Sequence, residues 1–191
     1  MLDELQQHVI VGSLLGDGSI SATGGGKRFR FEVRHGAKQK EYLDWKYEVL
    51  KNLVRTPPKY QEQNNSWRFR TISFPEFTDF RRWFYHGTQK VIPDELENLI
   101  THPKVLAVWY MDDGNLRREY GKTYGCMLNS QSFTYDDNKK LSELLRKEYG
   151  IAPMLQRNHG KYRLYFGAGS WRKFCAIVTP YIVPSMRYKL S

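Results

Sequence analysis

Two aspartates stand out as residues that could do chemistry together. Asp17 closes the apolar run Ile10-Val11-Gly12-Ser13-Leu14-Leu15-Gly16-Asp17-Gly18, and Asp113 closes Leu106-Ala107-Val108-Trp109-Tyr110-Met111-Asp112-Asp113-Gly114. Each run reads as a helix that delivers a carboxylate at its C-terminal end. That end already carries partial negative charge, so an acid there calls for a cation. Gly12 and Gly16 lie four apart on one helical face, which lets a second helix backbone approach closely. Side-by-side packing of the two helices would bring Asp17 and Asp113 together, and two close carboxylates repel unless a proton or a divalent metal sits between them. Oxygen ligands suit Mg²⁺, which takes few carboxylates plus water and phosphate. A carboxylate-held metal in a basic protein points to phosphodiester hydrolysis. Either Asp-Gly turn alone would be an ordinary helix end; the pair, in matching surroundings, carries the reading.

The elements that position these acids repeat. Helical spacing covers Asp3–Leu15, and strands follow at Ser19–Thr23 and Arg28–Arg34 across Gly24-Gly25-Gly26. Gln39–Val54 reads as a helix with Tyr42, Trp45, Val49, Leu50 and Leu53 on one face, closed by Pro57-Pro58. A hairpin spans Lys59–Gln63 and Trp67–Phe74, and Pro75–Tyr85 begins like a helix. The second copy has a helix over Lys104–Met111, strands at Leu116–Tyr120 and Tyr124–Ser130, and a helix over Tyr135–Tyr149 between Thr134 and Gly150. A hairpin over Met154–Arg157 and Tyr162–Phe166 follows, then a helix over Ser170–Tyr181. The order αββαββα is thus written twice, which predicts an α+β fold of two pseudo-symmetric halves, residues 1–95 and 96–191.

Lys and Arg total 30 against 20 Asp and Glu, a net charge of +10 that attracts polyanions. Cations alternate with apolar residues in Lys27-Arg28-Phe29-Arg30-Phe31-Glu32-Val33-Arg34 and in Trp67-Arg68-Phe69-Arg70. Period two gives strands with one buried and one cationic face, suited to lie against phosphates. Arg28, Arg30, Arg34, Arg68, Arg70, Arg117 and Arg118 are the candidate DNA contacts, arginine being the usual reader of guanine in the major groove. No apolar run reaches the ~20 residues of a membrane span. The acidic start lacks the basic region of a signal peptide. The expected location is therefore intracellular, in cytoplasm, nucleoid or an organelle according to host. Cys126 and Cys175 are too few and too distant in sequence for a disulfide framework or a cysteine zinc site, and the histidines at 8, 35, 86, 102 and 159 have no metal-ligand spacing.

The two nonapeptides resemble the motif of the LAGLIDADG homing endonucleases of the two-repeat, single-chain, intron-encoded type. Leu128-Asn129-Ser130-Gln131-Ser132-Phe133-Thr134, Ile92-Pro93 and Pro184 through Tyr188-Lys189-Leu190 resemble flanking segments of the same family. The resemblance implies that the motif helices form the interface between the halves. Each half would contribute a four-stranded antiparallel sheet, and the two sheets a saddle over double-stranded DNA. It implies a monomer that makes a site-specific, Mg²⁺-dependent double-strand break and promotes intron homing. Mn²⁺ would substitute, and Ca²⁺ would support binding without efficient cleavage. Asp17 and Asp113 would hold metal and cut the two strands, Lys90 and Lys189 would assist, and Gln131 would hold the attacking water. Gly16 and Asp112 complete the expected metal surroundings.

Val108 and Trp109 are bulky where the motif has Gly and Leu, which puts close helix approach in the second half in question. Asp112 duplicates the acid beside Asp113; Asp113 is taken as the cutting residue because it, like Asp17, precedes glycine, and Asp112→Asn is expected to be far milder than Asp113→Asn. The alternatives on the same fold are an intron maturase acting on RNA and a DNA-binding protein that no longer cleaves.

Overall fold

A computed structural model describes residues 1–190. The element order of the first half is α1 (Glu4–Leu15), β1 (Ser19–Thr23), β2 (Arg28–Gly36), α2 (Lys40–Leu50), β3 (Lys59–Gln61), β4 (Ser66–Arg70) and α3 (Glu76–Phe84). A two-strand hairpin, β5 (Tyr85–His86) and β6 (Gln89–Lys90), and a single turn α4 (Leu96–Leu99) lead into the second half. There α5 (Pro103–Asp113), β7 (Gly114–Glu119), β8 (Lys122–Leu128), α6 (Tyr135–Tyr149), β9 (Met154–Asn158), β10 (Lys161–Phe166) and α7 (Ala168–Val178) repeat the pattern. A last 3₁₀ segment covers Pro184–Lys189.

The expected αββαββα order appears in both halves. The differences are local. β4 stops at Arg70 rather than Phe74, because the Phe31 amide donates to the Thr71 hydroxyl where the ladder would use the Thr71 carbonyl. The β5–β6 hairpin and α4 went unread, since strands of two residues and a helix of one turn show no period. Thr134 caps α6 in a reciprocal box with Asp137, and Gly150 ends it at φ 61°, as its left-handed position requires.

Each half forms a four-stranded antiparallel sheet, ordered β1-β2-β4-β3 and β7-β8-β10-β9. α2 and α3 cover one face of the first sheet; α6 and α7 cover one face of the second. α1 and α5 lie between the halves against each other. Both are apolar all round, which fits helices enclosed on every side: Val9 through Leu15 and Val105 through Asp112 are buried. The core is continuous across this pair, from Val33 and Phe69 under the first sheet to Leu164 and Phe166 under the second. Among the described residues, no helix is long and apolar enough to cross a membrane.

The close approach questioned from Val108 and Trp109 is achieved asymmetrically. A Cβ on Gly12 would stand 2.6 Å from the Val105 carbonyl oxygen and from Val108 Cβ, and one on Gly16 would stand 2.5 Å from Asp112 Cβ. The glycines of α1 are the recesses, and the larger residues of α5 fill them.

Candidate active site and nucleic-acid interface

The paired helices end side by side, and the four candidate groups collect at those ends. α1 stops at Leu15, so Asp17 sits two residues beyond it, while Asp113 lies in the last turn of α5. Two lysines reach the same places from separate elements. Lys90, carried by β6, donates from Nζ to the Gly16 carbonyl at 2.8 Å. Lys189, at the end of the 3₁₀ segment, donates to the carbonyls of Met111 and Asp112, the latter at 2.9 Å, while its own carbonyl accepts from the Tyr110 hydroxyl at 2.7 Å. Each motif helix thus ends on a lysine from its own half, where a cation opposes the negative end of the helix dipole.

The electrostatics of this cluster are strained. Burial, followed by Asp17 and Asp112, pushes the Asp113 carboxyl up to about 7. Burial brings Lys90 down to about 8 against the pull of Asp113, Asp112 and Asp17, and it lowers Lys189 in the same way. Burial also works to raise Asp17, but His35, Lys46 and Lys189 outweigh it and hold that carboxyl below the ordinary aspartate value. The carboxyl groups of Asp17 and Asp113, the latter with its proton affinity raised, and the helix-end carbonyls form an all-oxygen donor set with an electrostatic deficit that a hard divalent cation relieves. The residues present therefore fit such a cation.

Asp112 departs from its expected metal-binding role. Its side chain is fully buried, and both oxygens are engaged by Lys46 Nζ at 2.7 and 3.0 Å. Its Oδ1 accepts from the Tyr42 hydroxyl at 2.8 Å, and its Oδ2 accepts from the Asp17 backbone amide at 3.1 Å. Lys46 supplies the cation that a metal would otherwise supply. Asp112→Asn would leave Lys46 charged, buried and short of its counter-ion, a cost to stability.

Sequence reasoning missed three participants. Lys46 and Tyr42 come from α2, where Lys46 falls on the stripe already occupied by Tyr42, Val49, Leu50 and Leu53; a lysine on an apolar stripe was the available signal. His35, dismissed for lack of spacing, has Nδ1 3.3 Å from Asp17 Oδ2 and Nε2 3.7 Å from Asp112 Oδ1. It shares the inward face of β2 with Phe31 and Val33, so period two already placed it inside. Cys126 and Cys175, far apart in sequence, are free cysteines on β8 and α7, elements that pack against each other.

Register settles which sheet residues face outward. Glu32 pairs with Arg70 and Arg34 with Arg68, while Val33 and Phe69 pair on the buried side. Arg28, Arg30, Arg34, Arg68 and Arg70 therefore share the open face of the first sheet, with Lys59 beside Arg68. Glu32 is the acid among them, within 3.6 Å of Arg68 and 3.4 Å of Arg70. Arg30, Arg68 and Arg70 border a hollow of ≈ 290 Å³ with Arg55 and Lys59.

On the second sheet Arg117 lies on the open face, over the Tyr165 ring and bonded to Glu119 at 2.7 Å. The strand is irregular between Arg117 and Arg118, so strict alternation stops there, and Arg118 is exposed at the strand's outer end. Arg163, not predicted, joins the open face opposite Gln156. Gln131 lies past the end of β8, in a hollow shared with Gln89 and Tyr162; among the described residues no hydrogen bond joins it to either candidate acid.

Comparison with known proteins bears on this geometry. A family profile described as the LAGLIDADG DNA endonuclease family matches residues 7–174. A protein named RecA from Mycolicibacterium chitae is 32% identical over 204 residues, covering 99% of this chain and 47% of that protein; the chain spans about half the length of the first such relatives. DNA endonuclease I-ChuI of Chlamydomonas applanata is 30% identical over 211 residues, covering 100% of this chain and 96% of that protein. Among solved structures, the homing endonuclease I-WcaI bound to its DNA recognition sequence superposes with a TM-score of 0.89 at 26% identity, covering 100% of this chain and 88% of that one.

Proposed function

Because the chain belongs to the LAGLIDADG DNA endonuclease family, we propose that it is a monomeric, site-specific DNA endonuclease that makes a Mg²⁺-dependent double-strand break and so promotes intron homing. The observation that supports this most strongly is the duplicated helix end. Each helix end carries one candidate acid and receives one lysine on its backbone: Lys90 on the Gly16 carbonyl before Asp17, and Lys189 on the Met111 and Asp112 carbonyls before Asp113.

In this reading the arginine-bearing sheet faces hold the DNA through its phosphates and through base edges in the major groove. The scissile phosphates of the two strands then lie over the two helix ends. Asp17 and Asp113, with the helix-end carbonyls, would hold divalent cations, which when bound polarise the phosphate and acidify a water. Lys90 and Lys189 act where negative charge grows during cleavage. The lowered proton affinity of Lys90, near 8, suits it to give its proton to the departing oxygen, and while the proton is kept the ammonium charge stabilises that oxygen. Gln131, in the hollow beyond β8, would act on water only if bound DNA brings one to it.

The test is cleavage of a plasmid carrying the intron-less target, with Mg²⁺, Mn²⁺, Ca²⁺ or EDTA. Mg²⁺ and Mn²⁺ should linearise it. Ca²⁺ should give a gel shift with little cutting, because its looser coordination places the nucleophile poorly. Full cutting in EDTA would refute the metal reading, and tighter binding to intron RNA than to target DNA would favour the splicing helper.

A further inference from the structure

α1 ends at Leu15, whereas α5 continues through Asp113. This difference of about half a turn leaves the two candidate acids with different needs. The Asp113 amide lies within a helical turn. The amides of Gly16 and Gly18 both fold back onto the Ser13 carbonyl, leaving the Asp17 amide between them without a partner in its own half. Its acceptor comes from across the interface, as Asp112 Oδ2 at 3.1 Å. We infer that Asp112 is a positioning residue for Asp17, that Lys46 and Tyr42 hold Asp112 for this purpose, and that this device serves one of the two cutting sites only.

Three observations support a built support rather than an incidental ion pair. Asp112 and Lys46 side chains are both wholly buried, a costly arrangement where hydrophobic residues would serve packing as well. The pair sits at a gap that Gly16 keeps open, since a Cβ there would stand 2.9 Å from the same Oδ2 that meets Asp17. Finally, the carboxylate is saturated: Lys46 on both oxygens, Tyr42 on Oδ1 and the Asp17 amide on Oδ2 fix its plane and its rotamer together. Asp112 then dictates where the Asp17 backbone stops, and hence where its carboxylate points.

This inference rests on the endonuclease reading above, so its test has one arm that needs cleavage and one that does not. Lys46→Met/Asp112→Leu removes both charges and the acceptor. Lys46→Met/Asp112→Asn removes both charges but keeps an oxygen that can accept from Asp17. In the first arm, each strand of the target is end-labelled separately. The Leu double variant should cut one strand, the one whose cleavage Asp17→Asn also loses, about 10-fold or more slowly, in line with the cost of small misplacement. The other strand should be cut at the wild-type rate, so nicked circles accumulate. Target affinity should not change. The Asn double variant should recover most of the lost rate. Equal slowing of both strands, or no difference between the Leu and Asn variants, would overturn the inference and leave a purely structural pair.

In the second arm, amide hydrogen exchange on the DNA-free protein should show Asp17 N–H protected in the wild type and in the Asn variant. It should exchange about 10-fold or more faster in the Leu variant, with the rest of α1 unchanged. An Asp17 amide that is unprotected in the wild type refutes the positioning role whatever the protein cuts. An active-site reading that fails, with Asp17→Asn cutting both strands normally, would show in the first arm alone.

Discussion

The two halves agree in strand order, in acid and in lysine, yet differ in what surrounds them. The first half has a small residue before its acid, a sheet whose open face carries five arginines, and an α2 with a lysine turned inward. The second half has an acid before its acid, a sheet face of Arg117, Arg163, Tyr165 and Met127, and an α6 whose inward residues are Asn138, Leu141 and Leu145. What is shared is the geometry that two equivalent cuts require. What differs is either the fit between halves or the surface offered to the two ends of a DNA site, which need not share a sequence.

Breaking the one-sided ion pair should have the largest effect. Lys46→Met alone leaves Asp112 ionised and enclosed, and should cost about 3–5 kcal/mol of stability by denaturant unfolding. Adding Asp112→Leu should return most of that loss, less about 1–3 kcal/mol for the orphaned Asp17 amide. A single variant within about 0.5 kcal/mol of the wild type, the range of ordinary surface changes, would place Lys46 in solvent instead.

The shared feature comes next. Asp17→Asn and Asp113→Asn should each lower cleavage about 10²–10³-fold or more, since each removes charge from where transition-state charge is stabilised. Gel-shift affinity should persist, because removing negative charge beside a polyanion carries no electrostatic cost. Loss of cutting from only one of them would break the symmetry at its centre.

The two sheets can be ranked by salt. Arg34→Ala and Arg68→Ala should each reduce the slope of log K against log salt by about 1 if they meet phosphate. Arg117→Ala should reduce it less, because Glu119 already neutralises that guanidinium. Equal reductions would make the sheets electrostatically alike.

The smallest effect is a pH dependence confined to the second acid. Asp113 is raised from 3.8 to about 7, so the folded, metal-free protein keeps a proton that the unfolded chain has released. Its cost to folding therefore develops between about pH 4 and 7 and is constant above that. In EDTA, Asp113→Asn should raise the melting temperature at pH 8 and leave it unchanged at pH 4. Asp17, whose carboxyl is lowered, contributes with the opposite sign, and Asp17→Asn should not stabilise at either pH.

The sequence showed the repeat and both helix ends, because these are local patterns or spacings; the two lysines came only from the family resemblance. It showed the first cationic face because Arg28 through Arg34 alternate without interruption. It did not show the role of Asp112, whose partner is 66 residues away on another element. Nor did it show the irregularity between Arg117 and Arg118, which interrupts alternation at that point of the strand. Lys46 was legible in principle as a misfit on an apolar stripe, but its purpose lies in the other half.

The recesses of α1 and the projections of α5 also bear on ancestry. A protein made of two first halves would set Gly12 and Gly16 against glycines, leaving empty space and two lysines without acids. One made of two second halves would drive Val108 into Val108 and Asp112 into Asp112, with no lysine for either. Whatever duplication produced the repeat, neither copy can now be exchanged for the other, and a mutation at Gly16 is selected by the residue at 112. The halves inherit as one unit, and recombination that separates them would leave two fragments that each need the other and cannot pair with themselves.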